Sequence, residues 1–249
     1  MNKLPHITLA FWVMKICATT LGETAGDLVS MTLGVGYALS SVILIGFFVA
    51  TLLGQLSVRR YHPALYWTVI LSTSIAGTTL SDFMDRTLGL GYATGSVILI
   101  AILTSIFCLW YLSERSLSVS HIASRRAELF YWFAILFSNT LGTALGDYLA
   151  DDSGLGFAGG ALLIGSLIAL MAILHYATRL SSVLIFWIAF VLTRPFGATL
   201  GDVLTKPRDH GGLDFGTLGS SLVLLSILLA LVSYASIMNR RTDTRIAKP

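Results

Sequence analysis

At 249 residues, 55% apolar and only 12% charged, the chain is too apolar for a soluble domain, in which about a quarter of residues are charged. Its mean hydropathy of +0.80 points to an all-α polytopic membrane protein forming one transmembrane domain over residues 1–249. The net charge of +3 carries no nucleic-acid signature, and the two cysteines, Cys17 and Cys108, lie in apolar runs and read as small fillers, too few for a disulfide framework or a thiolate metal site.

Eight segments of roughly 20 residues fit a bilayer. They run over about 9–29, 37–56, 64–84, 92–112, 128–149, 157–176, 182–204 and 215–238. Lys15 interrupts the first, which is therefore expected to be a span and not a cleavable signal peptide. The segments fall into four two-helix units at about 9–58, 64–114, 128–178 and 182–240. With Trp12, Trp67, Trp132 and Trp187 as origins, Gly22, Gly77, Gly142 and Gly197 share one offset. Small residues (Gly26, Ser81, Gly146, Gly201) share the next, and Asp27, Asp82, Asp147 and Asp202 the one after. These are internal repeats. Each crosses an even number of times, so all four run parallel, unlike the inverted repeats of many transporters. The tryptophans read as interface anchors and packing.

Short glycine turns join the helices of a unit: Gly34-Val35-Gly36-Tyr37, Gly89-Leu90-Gly91-Tyr92 and Gly154-Leu155-Gly156-Phe157. Glycine permits the positive φ such reversals need. The fourth copy, Lys206 to Gly212, is expected to add about three residues. The long connection at about 113–127 separates two halves of one domain.

Basic residues set the orientation. Lys3, Arg59, Arg60, Arg115, Arg125, Arg126, Arg179, Arg240, Arg241, Arg245 and Lys248 fall on one side, against Arg86, Lys206 and Arg208 on the other. Both termini are therefore expected to be cytoplasmic. Most acids cluster at the opposite, outer side. His6, His62, His121 and His175 read as interfacial, while His210 with Asp209 and Asp214 is a sparse metal set at the outer mouth.

At four-residue intervals each odd helix carries a stripe, as helical geometry requires for one face. The stripes read Lys15, Thr19, Glu23, Asp27; Ile70, Ser74, Thr78, Asp82; Ile135, Asn139, Thr143, Asp147; and Phe190, Arg194, Ala198, Asp202. Polar groups facing lipid are costly, so the four stripes are expected to face each other across a cavity, with glycines allowing close approach. Four carboxylates at one depth, near negative helix ends, call for a cation, shared protons or bridging bases. Oxygen-only ligands suit a hard divalent cation. The candidate site is Asp27, Asp82, Asp147 and Asp202, as metal ligands, with Glu23. Thr19, Thr20, Ser74, Thr78, Asn139 and Thr143 would support it. Lys15 and Arg194 would be internal counter-charges, Lys15 with Glu23 or another carboxylate as partner, or else snorkelling to the headgroups. Pro195 would kink or loosen its helix. Asp85 and Arg86 would form an outer gate pair or a solvated rim. The competing reading is that the aspartates lie beyond the hydrocarbon edge and only close the turns. No nucleophile elbow, Walker loop, H-E-x-x-H or C-x-x-C occurs.

The motifs T-T-L-G-E-x-x-G-D, T-T-L-S-D-x-x-D-R-x-L-G-L-G-Y, T-L-G-T-A-L-G-D and R-P-F-G-A-T-L-G-D resemble a family of bacterial membrane proteins built from four copies of a short repeat of unknown function. Its members are often labelled membrane-anchored proteins. The resemblance covers nearly the whole chain and implies a multi-pass bacterial inner-membrane protein, without an activity to carry over.

Three functions follow as expectations. The first is a transporter or exchanger of a small, divalent cation, coupled to protons, with the lipid bilayer, the cation and protons as partners and no resident cofactor. The second is a binding, sensory or structural membrane protein. The third is an intramembrane enzyme holding a phosphate-bearing amphiphile with Arg194 and Lys15, for which no nucleophile is identified.

Overall fold

A computed structural model describes residues 3–119, 122 and 124–246, the last seven by backbone alone. His121 and Lys248 lie outside the described residues. The described chain is all-helical, with eight long helices: α1 (Leu9–Asp27), α2 (Tyr37–Ser57), α3 (Pro63–Asp82), α4 (Tyr92–Glu114), α5 (Arg125–Asp147), α6 (Gly156–Ala177), α7 (Ser182–Thr205) and α8 (Thr217–Ile246). Six of them, α2 and α4 to α8, are long and apolar enough to cross a membrane, which suggests a multi-pass membrane protein. The other two, α1 and α3, miss that measure because their stripes are polar.

The odd helices form a closed ring in which α1 packs on α3, α3 on α5, α5 on α7 and α7 on α1. The even helices stand outside it. Each leans on the odd helix of the following repeat: α2 on α3, α4 on α5, α6 on α7, and α8 back on α1. Hydropathy explains the two layers. The even helices are apolar on all sides and mostly exposed, as befits lipid contact, whereas α5 and α7 are largely buried. The free thiols divide accordingly, with Cys17 buried on α1 and Cys108 exposed on α4, so Cys108 is not the interior filler its apolar run implies.

One glycine per repeat fixes the ring spacing. Gly22 faces Ser74, Gly77 faces Asn139, Gly142 faces Arg194 and Gly197 faces Thr19. A methyl group added at any of these would overlap the facing residue. The same handed step recurs at the end of the ring where the chain enters, called here the proximal end. There Phe11 meets Trp67 at 5.7 Å, Tyr66 meets Trp132 at 5.6 Å, Tyr131 meets Trp187 at 6.1 Å and Phe186 meets Trp12 at 5.8 Å between ring centroids. Tyr66 and Tyr131 also share a hydroxyl hydrogen bond of 2.7 Å. Three of the tryptophans, Trp67, Trp132 and Trp187, are thus buried in an aromatic girdle and are not interface anchors.

At the distal end the first three odd helices widen into a π-helical turn directly after their Asp, at Leu28–Thr32, Phe83–Thr87 and Tyr148–Asp152. The glycines beyond, Gly34 and Gly36 and their counterparts, take positive φ as expected. The fourth copy differs. Its helix closes normally, with Lys206 N–H donating to the Asp202 carbonyl at 2.9 Å, and Pro207, which has no N–H, precludes the wide turn. Asp214 and Gly216, both at positive φ, play the part of the glycine pair. Because α8 opens at Thr217, the insertion is five residues rather than about three.

Candidate functional site

The four stripes meet on the ring axis in layers. Nearest the girdle lie Lys15, Ile70, Ile135 and Phe190, all fully buried. Lys15 does not snorkel and has no carboxylate partner among the described residues. Its ammonium lies 4.2 Å over the Phe190 ring and 3.4 Å from Asn139 Oδ1. Asn139 is held in turn by donating to Thr73 Oγ1 at 3.0 Å.

The next two layers centre on Arg194, also fully buried. Its Nη2, which has two hydrogens to give, lies within hydrogen-bond distance of Glu23 Oε2 at 3.0 Å, Thr143 Oγ1 at 2.7 Å and Thr78 Oγ1 at 2.5 Å, which share them. The Thr19 carbonyl accepts from Nη1 at 3.2 Å, and the Ser74 carbonyl lies 3.4 Å from Nη2. Every odd helix thus contributes to one cluster. The guanidinium fork explains why arginine stands here: it can serve several acceptors in fixed directions. Helix α7 runs unbroken through Pro195 and is not interrupted there. The preceding carbonyl of Thr193 accepts from Thr19 Oγ1 at 3.1 Å.

Above this lie the aspartates, only 2–4% exposed, so they do not sit out in solvent beyond the helix ends. They are paired across neighbouring helices by two bases. Arg86 bridges Asp82 (Nε–Oδ1 3.0 Å) and Asp147 (Nη2–Oδ2 3.3 Å), while Lys206 bridges Asp27 (3.1 Å) and Asp202 (3.2 Å). In both cases burial opposes the positive charge, but the flanking aspartates outweigh it and hold the proton more tightly than usual. Carboxylate oxygens of Glu23, Asp147 and Asp202 lie within 4.8 Å of one another.

Of the expected site residues the structure brings Glu23, Asp147 and Asp202 together, with the Thr78 and Thr143 hydroxyls on Glu23. Asp82 and Asp27 join them through Arg86 and Lys206, and Thr19 and Ser74 meet Arg194 through their backbone carbonyls. Thr20 is not part of this cluster; its hydroxyl donates to the Ile16 carbonyl of its own helix. Asp85 and Arg86 do not form a gate pair. Arg86 is turned to Asp82 and Asp147, and Asp85 accepts from Ser81 at 3.2 Å. Burial lifts the Asp85 carboxyl to about 6, against the Ser81 hydrogen bond and the charge of Arg86. His210 lies 4.0 Å from Asp209 with both side chains exposed, and they do not join the carboxylate cluster. Lys206 is the member of this cluster that reading the Asp stripe alone misses. It stands four residues after its Asp, as Arg86 does, whereas the first and third repeats have Met31 and Asp151 there.

The fold and axis define a class: a closed ring of four helical hairpins around a buried, charged core. A family model described as Repeat of Unknown Function (DUF347) matches the chain four times, over residues 10–61, 65–116, 130–181 and 185–241. The chain belongs to that family. No curated protein and no solved structure matches it.

Proposed function

We propose that this is a bacterial inner-membrane carrier, with all eight helices spanning the bilayer and both termini cytoplasmic, that exchanges a small divalent cation for protons along the ring axis. One observation carries the reading. Five carboxylates (Glu23, Asp27, Asp82, Asp147, Asp202) share the distal half of the axis with three bases, Arg86, Arg194 and Lys206. Each carboxylate touches a base, but two of the bases are shared between two aspartates, so the cluster keeps a formal excess of two negative charges, which is costly at membrane depth. One divalent cation or two protons balances them. The oxygen-only donors of Glu23, Asp147 and Asp202 suit a hard cation such as Mg²⁺, Mn²⁺ or Ca²⁺.

Lys206 and Arg86 act in this scheme as tethered occupants of the cation's place. Lys206 is a flexible point charge whose flanking loop is an insertion, so it is the one that yields to the incoming ion. Arg86 is held between the rings of Tyr37 and Tyr92, 6.0 and 5.6 Å from their centroids. The chemistry is binding and release, not bond making. The test is uptake of Mn²⁺ into proteoliposomes against an imposed pH gradient. Uptake that follows the gradient and fails in Asp202→Asn supports the reading; uptake equal to empty liposomes rejects it.

A second reading rests on the same bridges. Because each Asp already has a basic partner, the axis would be a structural plug in a binding or sensory protein. Asp→Asn changes would then lower stability with no cation response in the wild-type protein.

A further inference from the structure

A second site lies at the proximal end, far from the carboxylates, and does not depend on the cation reading. A cavity of about 270 Å³ opens where α2 ends and α5 begins, lined among others by Lys3, Ser57, Arg59, Ser124, Arg125 and Glu128. Ser124 caps α5, accepting from the Ala127 N–H at 2.9 Å. The next two residues are Arg125 and Arg126. These two bases have the wrong sign for a helix N-terminus, whose partial positive charge favours anions; the acids nearby are Glu128, in the same first turn, and Glu114, which accepts from Ser124 Oγ at 2.6 Å. Neither Arg59 nor Arg125 has an ion-pair partner among the described residues.

Glu128 supplies the independent observation. Its side chain is 3% exposed and its Oε2 accepts from Lys3 at 2.6 Å, yet its buried Oε1 has no hydrogen-bond partner. A buried acceptor left open beside a cavity calls for a donor. The cavity lining therefore combines two chemistries: bases without an ion-pair partner among the described residues, beside a helix N-terminus, and Glu128, one of whose carboxylate oxygens lacks a donor.

We infer that this cavity binds an amine-bearing phosphate ester, with the phosphate on Arg59, Arg125 and the start of α5, and the amine donating to Glu128 Oε1. Two sources carry that chemistry: the ethanolamine headgroup of a phospholipid in the adjoining leaflet, and soluble phosphoethanolamine.

The full chain, purified in detergent micelles and delipidated, separates them. Phosphatidylethanolamine, phosphatidylcholine, phosphoethanolamine and inorganic phosphate are each titrated, and binding is read by native mass spectrometry and thermal shift. Phosphatidylethanolamine is expected to bind at least tenfold more tightly than phosphatidylcholine, whose quaternary amine has no N–H. Arg59→Gln/Arg125→Gln, a surface variant that leaves the helices intact, is expected to weaken it at least tenfold, and Glu128→Gln to remove the preference between the two lipids. Saturable binding of phosphoethanolamine that displaces the lipid, or occurs without it, assigns the soluble source. Equal binding of the two lipids, no loss in the arginine variant, or a response to inorganic phosphate alone overturns the inference.

Discussion

Arg194 Nη2 sits 3.0 Å from Glu23 Oε2, and the same nitrogen touches the hydroxyls of Thr78 and Thr143. One atom thereby meets side chains from the three other odd helices. Removing either charge strands the other in the interior, which costs about 3–5 kcal/mol. Glu23→Gln and Arg194→Met are each expected to destabilise by that amount in chemical denaturation in micelles. The double variant should lose less than the sum, because no lone charge remains. Additive losses would show that the pair is not coupled.

Asp147 is shared between Arg86 and the cluster with Glu23 and Asp202. Asp147→Asn keeps the side-chain volume and removes one of the two excess charges. On the proposed cation site, Mn²⁺ should raise the thermal stability of the wild-type protein by mass action, and we expect the variant to fold and to lose that rise. An undiminished Mn²⁺ shift would remove Asp147 from the site.

Lys206 and Arg86 should answer differently to loss of charge. Lys206→Met frees Asp27 and Asp202 and is expected to tighten Mn²⁺ binding about tenfold, equivalent to roughly 1.4 kcal/mol, by isothermal titration. Arg86→Met breaks a clamp set between two tyrosines and is expected to lower stability. Weaker Mn²⁺ binding in Lys206→Met would mean that its ammonium does not compete with the ion.

Gly142 faces Arg194 across the ring, whereas Gly46, on the outer helix α2, has nothing within 4 Å of an added Cβ. Gly142→Ala is expected to displace Arg194 and cost more than about 2 kcal/mol, the range of a badly overpacked interior. Gly46→Ala should be neutral or stabilising by up to about 1 kcal/mol, since alanine is the better helix former. Thermal unfolding of the two variants side by side makes the comparison.

Asp85 lies in the turn beyond α3, and burial lifts its carboxyl to about 6. A folded-state value above the ordinary one of about 4 means that folding favours the protonated form. Its stabilising contribution is fully present below about pH 4 and is lost as pH rises through about 6. Asp85→Asn should therefore melt with the wild-type protein at pH 4 and above it at pH 8. A variant less stable at pH 8 would show that the ionised carboxylate is wanted there.

Much of this was legible because the repeat is strict. A fixed offset from Trp to Gly to Asp placed the polar stripes on one face, and a stripe of that kind in an apolar helix has only its neighbours to face. The hand of the ring was not legible, since Gly22 could meet the neighbour on either side until the chain closes. Partners were hidden for a related reason: a basic residue at one offset in only two of four copies looks like loop decoration at Lys206 and like a local pair at Arg86–Asp85. Lys15 escaped because a cation can rest on an aromatic face such as Phe190, and an apolar residue in the stripe gives no polar signal. The wide turns after the first three aspartates leave no mark in composition.

Because every outer helix rests on its successor, and α8 rests on α1, the polypeptide is topologically a circle with one arbitrary cut. Linking the end of α8 to the start of α1, both at the proximal end of the ring, and reopening the chain at the 113–127 connection should give a circular permutant with the same ring. A lone hairpin, by contrast, has neither its cover nor its seat. Half a chain is expected to complete itself by associating with a second half, which makes the closed circle and not the repeat the expected folding unit.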